Sequence, residues 1–427
     1  MSNSISRVFE LFETISQIPH CSFKADKLKS FIYSFAKERG YSVEVDSAGN
    51  ILAKKPKPKL CLQAHYDMVC VGRAPDIEIV EDSGYLKAIE SSLGADNGIG
   101  VAMMLALIEE GYELEFLFSS DEEVGLIGAK ALEFELESNK LINLDNEEEG
   151  VVLIGCAGGV DLIANQELDL IESNYPFSYE VEVSNLPGGH SGVDIDKDIP
   201  NAIKVLAQFL ADKKIELISF SGGERRNSIP SSAKATIRAN EKLNSKDLIK
   251  VKEIKLSDNR VLKSSSDLIR LLATAPSGVV EFNDKLNLPQ SSLNLAIVVI
   301  NKAKAKIDYS LRAMSEESLD SLVASTKTLL KRYGFEISES ERYPSWEPKV
   351  DSFKEYIRDI LKEEFGNSKL EAIHAGLECG VLSQKYPDIK MASIGPNIKN
   401  PHSIREMVEI NSVIKSFKAL KRIIESL

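Results

Sequence analysis

The chain has 427 residues, 43% hydrophobic and 27% charged, the balance of a folded chain with two or three cores and not of a disordered or fibrous one. Lys and Arg number 52 against 65 Asp and Glu, a formal net charge of −13, which leaves no electrostatic footprint for a nucleic-acid backbone. Arg7, Glu10 and Glu13 interrupt the first apolar stretch, and no run approaches the ~20 apolar residues of a membrane span, so no leader, no membrane contact and a cytoplasmic location are expected.

Apolar residues recur at three-to-four spacing over Ile5 to Ile18 and Ala25 to Arg39, which predicts two amphipathic helices. Short strands are expected at Leu60 to Ala64, Glu113 to Phe118 and Lys140 to Leu144, with a buried helix at Ile99 to Glu110 stopped by Gly111. This alternation is that of βα units around a largely parallel sheet. Gly155 to Gly159 reads as a domain crossing. Beyond it the texture is α+β: strands at Tyr179 to Val183, Ala233 to Ala239, Leu293 to Ile300 and Ala305 to Leu311, helices near Asn201 to Ala211 and Ser315 to Tyr333. Tyr343 to Pro348 marks a second crossing, after which helix and strand alternate again. The expected fold class is therefore α/β: a discontinuous catalytic domain of residues 1–159 and 343–427, with an inserted α+β domain of residues 160–342. No internal repeat is visible, and the acidic run Glu147 to Glu149 reads as a solvated turn.

The five cysteines, Cys21, Cys61, Cys70, Cys156 and Cys379, form no C-x-x-C pair, and an odd count of this kind points to reduced thiols. Histidine is scarce: His20, His65, His190, His374 and His402. His65 and Asp67 stand two apart after a strand, an arrangement that can orient a metal-binding imidazole or serve as an ordinary structural hydrogen bond. Taken singly, Asp96 reads as a helix N-cap, Glu122 and Glu123 as acidic residues at a helix start, and Asp145 as a strand end. Together, His65, Asp96, Glu123 and Asp145 fall beyond the carboxyl ends of strands or at the start of a helix, the edge where open α/β sheets bind ligands. Carboxylates converging there would repel one another, and a divalent cation removes the conflict. Imidazole with carboxylate suits zinc, with manganese or cobalt acceptable, and His402 in NPHS offers a second imidazole.

The segments AHYDMV, SSLGADNGIG, DEEVGLIGA, INLDNEEEG, GCAGG, GGHSG, RRNSIP, IHAGLECG and SIGPNIKNPHS, running from residue 61 to 403, resemble the M20-type metallopeptidases. Within them they resemble the aminoacyl-histidine (Xaa-His) dipeptidase branch. The resemblance implies a zinc-peptidase catalytic domain with a lid and two divalent ions, zinc foremost with manganese or cobalt as substitutes, bridged by Asp96. It places His65 and Asp145 on one ion, Glu123 and His402 on the other, and Asp67 behind His65. Glu122 would be the general base for a metal-bridging water, and His190 would stabilise the oxyanion, in cis or from a partner subunit. Asn227 and Arg312 would hold the substrate, with Arg312 clamping a terminal carboxylate. A small peptide is the implied substrate and a homodimer through the lid the implied assembly. His374 and Glu378 receive no defined role, and His20 is expected to pack near the first helix. Tyr66 departs from the smaller residue common in relatives, which touches pocket shape. The implied activity is hydrolysis of unblocked dipeptides, such as β-alanyl-histidine; the alternatives are an M20-type deacylase or tripeptidase, or a noncatalytic metal-binding homologue.

Overall fold

The computed structural model describes residues 3–427. They form two compact units, one comprising the chain through Cys156 with Trp346–Ala372 and Leu377–Leu427, the other Ala157–Ser345 with Ile373–Gly376.

The first unit is built on an eight-stranded sheet in the order Ser42–Val45, Ile51–Lys54, Glu115–Ser119, Cys61–His65, Lys140–Asn143, Lys390–Ser393, Val151–Cys156, Lys369–Ile373. Four neighbours, from Glu115–Ser119 to Lys390–Ser393, run parallel, while Ile51–Lys54 and Val151–Cys156 flank them antiparallel. Burial of both faces explains the near-continuous apolar sequences: every residue of Cys61–His65 and Glu115–Ser119 is buried. The helix Ala95–Glu109 is buried almost all round, which is why its sequence shows no polar stripe. The helices Asn3–Ser16 and Asp26–Glu38 bury one face each, led by Leu11, Phe12 and Ile15 in the first and Leu28 and Ile32 in the second. Asp351 caps the helix Ser352–Phe365 by accepting from the N–H groups of Phe353 and Lys354, and Gly366 ends it at φ +83°.

A separate four-stranded sheet in this unit orders Ile398–Lys399, Met407–Glu409, Tyr85–Ala88 and Ile79–Asp82. The connection between its first two strands carries His402.

The second unit holds a nine-stranded sheet whose strand pairs are all antiparallel. The helices Ala202–Ala211, Ser265–Thr274 and Glu316–Arg332 contribute to its core through Leu206, Leu272 and Leu319 among others. Asn201 and Ser315 cap two of these helices with side-chain oxygens. A mixed sheet with a parallel centre plus a distinct α+β unit is the expected fold class. Several pieces go beyond the sequence reading, including the strand Ile215–Gly222, the helix Ser265–Thr274 and the edge strand Gly278–Asn283, whose residues are mostly exposed and so lack alternation.

One expectation is corrected. Cys21 and Cys70 are joined as a disulfide, with Cα atoms 5.5 Å apart and a separation of 49 in sequence, while Cys61, Cys156 and Cys379 are free and buried. Spacing could not reveal the pair, because it is made by the parallel bridge of Cys21 to Met68, a contact between distant segments.

Candidate active site

The parallel strands bring their carboxyl ends to one edge. His65 is the last residue of its strand, in register with Ser119, and Gln63 pairs with Asn143. Glu122 and Glu123 lie in the turn just after Ser119, and Asp145 stands two residues after Asn143.

His65 donates Nδ1–H to the carbonyl oxygen of Asp67 at 3.0 Å, with the Asp67 carboxylate 3.6 Å away. That bond turns Nε2 toward Asp96 Oδ1 at 3.1 Å and Asp145 Oδ1 at 3.4 Å. The other oxygen of Asp96, Oδ2, faces His402 Nε2 at 3.0 Å, and His402 Nε2 is also 2.9 Å from Glu123 Oε2. The Asp96 carboxylate is thus flanked by two imidazoles, one on each oxygen. Donor atoms of His65, Asp96 and Asp145 lie within 4.8 Å of one another, as do those of Asp96, Glu123 and His402; a third such group is His65, Glu122 and Glu123.

Asp96 is not a helix N-cap. Gly94 occupies that position in the left-handed region at φ +72°, where a Cβ would lie 2.9 Å from Met68 Sδ. Asp96 and Asn97 depart from helical dihedrals and are joined by a cis peptide bond. Asn97 Nδ2 donates to the Leu144 carbonyl at 2.8 Å and to Asp145 Oδ1. The Asp67 carboxylate accepts from the Glu122 N–H at 2.9 Å and from Ser22 Oγ at 2.7 Å. Tyr66 is buried, its hydroxyl donating to the Gly49 carbonyl.

The electrostatics are those of a crowded anionic centre. Burial pushes the Glu122 carboxyl well above its usual range, reinforced by Glu123, Asp145 and Glu378 and eased by His65. Glu123 is raised to about 7 by burial and by Asp96. Burial opposes a charged imidazole at His402, yet the hydrogen bonds to Asp96 and Glu123 raise it to about 11. At His65 burial is likewise overcome, by Asp145, Asp67 and Asp96. Asp96 is lowered against its own burial by His402 and His65. Without a cation, protons on imidazoles hold this charge together; the mixed imidazole and carboxylate donors, and a buried Glu123 Oε1 with no partner among the described residues, fit a divalent cation. Glu147 differs from the expected solvated turn: it is half-buried, and burial together with Asp96 and Asp145 raises its carboxyl well above normal.

Beneath these residues lies a polar tie that sequence reasoning missed. Asn143 Nδ2 donates to Gln63 Oε1 at 2.7 Å; Gln63 Nε2 donates to Glu378 Oε2 at 2.5 Å and to Ser119 Oγ at 2.9 Å; Ser119 donates to Glu378 Oε2 at 2.7 Å. All four are buried. The only signal was the motif HAGLECG, which contains Glu378. His20 is buried too, with Nδ1 donating to the Ile18 carbonyl at 2.6 Å.

The remaining expected residues belong to the second unit. His190 sits on the two-residue strand Gly189–His190, paired with Ser228–Ile229, and the Ser191 N–H donates to the Asn227 carbonyl at 2.8 Å. His190 Nδ1 accepts from the N–H groups of Gly192 and Val193, each at 3.2 Å, which places the proton of a neutral ring on Nε2. Asn227 is exposed. Arg312 is buried and donates from Nη1 to the Tyr343 hydroxyl at 2.6 Å. Opposite it in register is Ser292, whose Oγ lies 2.7 Å from His374 Nε2. Burial and the nearby Arg312 charge lower His374 to about 3, keeping it neutral.

Residues 61–426 match the peptidase family M20/M25/M40. The chain belongs to that family. As an M20 chain it is a metal-dependent peptide hydrolase. It is 34% identical to the cytosol non-specific dipeptidase of Escherichia coli K12, over 95% of this chain and 94% of that one. The aminoacylhistidine dipeptidase of Vibrio alginolyticus is 29% identical, with a TM-score of 0.82 over 99% of this chain and 96% of that one. A tripeptidase of Staphylococcus aureus shares the fold, with a TM-score of 0.60 at 17% identity over 99% and 98% of the two chains. Among the described residues of the M20 chain, no helix is long and apolar enough to cross a membrane.

Proposed function

We propose that this chain is a cytosolic dipeptidase that hydrolyses unblocked dipeptides, Xaa-His among them, with two divalent cations, zinc foremost. The observation that carries the reading is Asp96 with one imidazole on each oxygen, 3.1 Å from His65 and 3.0 Å from His402, so that Asp96 could be shared between the two cations. Asp145 would complete the His65 side and Glu123 the His402 side. Bound there, the cations would supply Lewis acidity for the scissile carbonyl and lower the pKa of a bound water.

Glu122 is the proton carrier. Its backbone is fixed by Asp67, and its raised pKa suits a group that takes a proton from the attacking water and returns it to the leaving amine. Asp67 holds His65 in the tautomer that presents Nε2. The second unit supplies the substrate contacts: His190, with its proton on Nε2, is the donor to the developing oxyanion, Arg312 clamps the terminal carboxylate, and Asn227 binds the peptide. A homodimer through the second unit is part of this proposal.

Elemental analysis of purified protein, run beside hydrolysis of β-alanyl-histidine, alanyl-histidine, an N-acetyl amino acid and a tripeptide, tests it. Two equivalents of metal and turnover of the free dipeptides support it. Preference for the N-acetyl compound or the tripeptide replaces it with the deacylase or tripeptidase reading, and metal uptake with no hydrolysis makes the chain a binding protein.

A further inference from the structure

Glu406 is 3% exposed, and its carboxylate accepts four backbone hydrogen bonds from consecutive residues: Leu93 and Gly94 on Oε2 at 2.8 and 3.1 Å, Ala95 and Asp96 on Oε1 at 2.8 and 3.3 Å. Ala95 and Asp96 open the helix Ala95–Glu109, and Leu93 and Gly94 lead into it. The first N–H groups of a helix have no partner within it, and this helix has no side-chain cap of its own. Both oxygens of this buried carboxylate are thereby occupied by donors.

More than capping is involved, because the turn it grips delivers Asp96 in a conformation the helix does not impose. Asp96 has φ −84° and ψ +105°, and Asn97 φ −110° and ψ +28°. Their directions are set from outside. Glu406 also stands four residues after His402, at the foot of the connection between Ile398–Lys399 and Met407–Glu409. That connection is tight: Asn400 and His402 both have positive φ, Ser403 Oγ donates to the Asn400 carbonyl at 2.7 Å, and the Glu406 N–H donates to the Ser403 carbonyl at 3.1 Å. One carboxylate therefore ties the turn bearing Asp96 to the turn bearing His402, across 310 residues of chain.

We infer that Glu406 is a positioning residue that fixes Asp96 against His402 and so sets the spacing on which binding of both cations depends. This rests on the reading of Asp96 as the shared carboxylate. Glu406→Gln keeps the shape but turns an amide N–H₂ toward two N–H donors, and Glu406→Asp keeps the charge but shortens the reach.

The test uses full-length protein freed of metal by chelator, titrated with cobalt(II) alone and followed by its visible absorption, with thermal unfolding of the metal-free forms in parallel. Glu406→Gln is expected to need ~10–100-fold more cobalt for half-saturation, with an altered band pattern. Glu406→Asp is expected to shift in the same direction, and it carries the test should the Gln variant fail to fold. Wild-type cobalt affinity and spectrum in the variants, with only a lowered unfolding temperature, would show a simple cap and overturn the inference. Asp96→Ala is the separate control: if it binds as much cobalt as the wild type, the shared-carboxylate reading fails, whatever Glu406 does. A wild-type chain that takes up no cobalt overturns both.

Discussion

Asp67 receives the backbone N–H of Glu122 on its carboxylate at 2.9 Å while its own carbonyl receives Nδ1–H of His65 at 3.0 Å. One residue thus aims both an imidazole and the proposed base. Glu122→Ala should lower kcat by about 10²–10⁴-fold with full metal content, because only the proton carrier is lost. Asp67→Ala should lower kcat as well and, unlike Glu122→Ala, weaken metal binding by ~10–100-fold. Kinetics and metal analysis on the two variants separate these outcomes, and unchanged hydrolysis in Glu122→Ala would remove its role as base.

Metal binding should release protons. In the metal-free protein His402 is raised from 6.5 to about 11 and His65 is raised well above 6.5, so both imidazoles carry protons at neutral pH. A cation must displace them, and apparent affinity should therefore climb with pH. Calorimetric titration with zinc in buffers of different ionisation heats counts the protons released. For stability the sign follows from the raised pKa: the contribution of His402 to the metal-free fold is complete below pH 6.5 and lost as pH rises through about 11. Unfolding scans of chelated protein should show this alkaline weakening, and zinc should abolish it.

Glu378 is raised from 4.5 to about 7, chiefly by burial. Its neutral form is favoured in the fold, so its contribution is greatest below pH 4.5 and falls as pH rises through about 7. Glu378→Gln removes that loss, and its unfolding temperature should gain on the wild type between pH 5 and pH 8. Glu378→Ala removes the carboxylate that accepts from both Gln63 and Ser119 and should cost ~1–3 kcal/mol, measured by chemical denaturation.

The Cys21–Cys70 link closes a long loop through the site-bearing strand Cys61–His65. Cys21→Ser with Cys70→Ser should lower stability by ~2–4 kcal/mol through the greater freedom of the unfolded chain. Denaturation of the wild type with and without reductant checks this; identical curves would mean that the link contributes nothing.

The helices and parallel strands of the first unit were legible because burial imposes periodicity on their sequences. Cys61–His65 and Glu115–Ser119 are apolar because both faces are covered, and Ala95–Glu109 because its whole surface is. The proposed ligands were legible as chemistry placed at strand ends. Asp96 between two imidazoles is a property of three segments, so no local pattern distinguished it from a cap. Glu406, Gln63 and Asn143 were silent for the same reason: each finds its partners far away in sequence, and a lone Glu, Gln or Asn looks like any surface residue. The disulfide was missed because its two cysteines meet only when residues near His20 line up beside Asp67 and Met68.

The discontinuity of the first unit also has a bearing on biosynthesis. Glu378, His402 and Glu406 all lie beyond residue 377, although most of their partners lie before residue 150. On the ribosome, the amino-terminal strands can emerge and pair while the centre still lacks an imidazole and two of its supporting carboxylates. The proposed centre therefore stays incomplete until residue 406 has been made and folded back onto segments synthesised long before it, which sets growth of the chain ahead of activity.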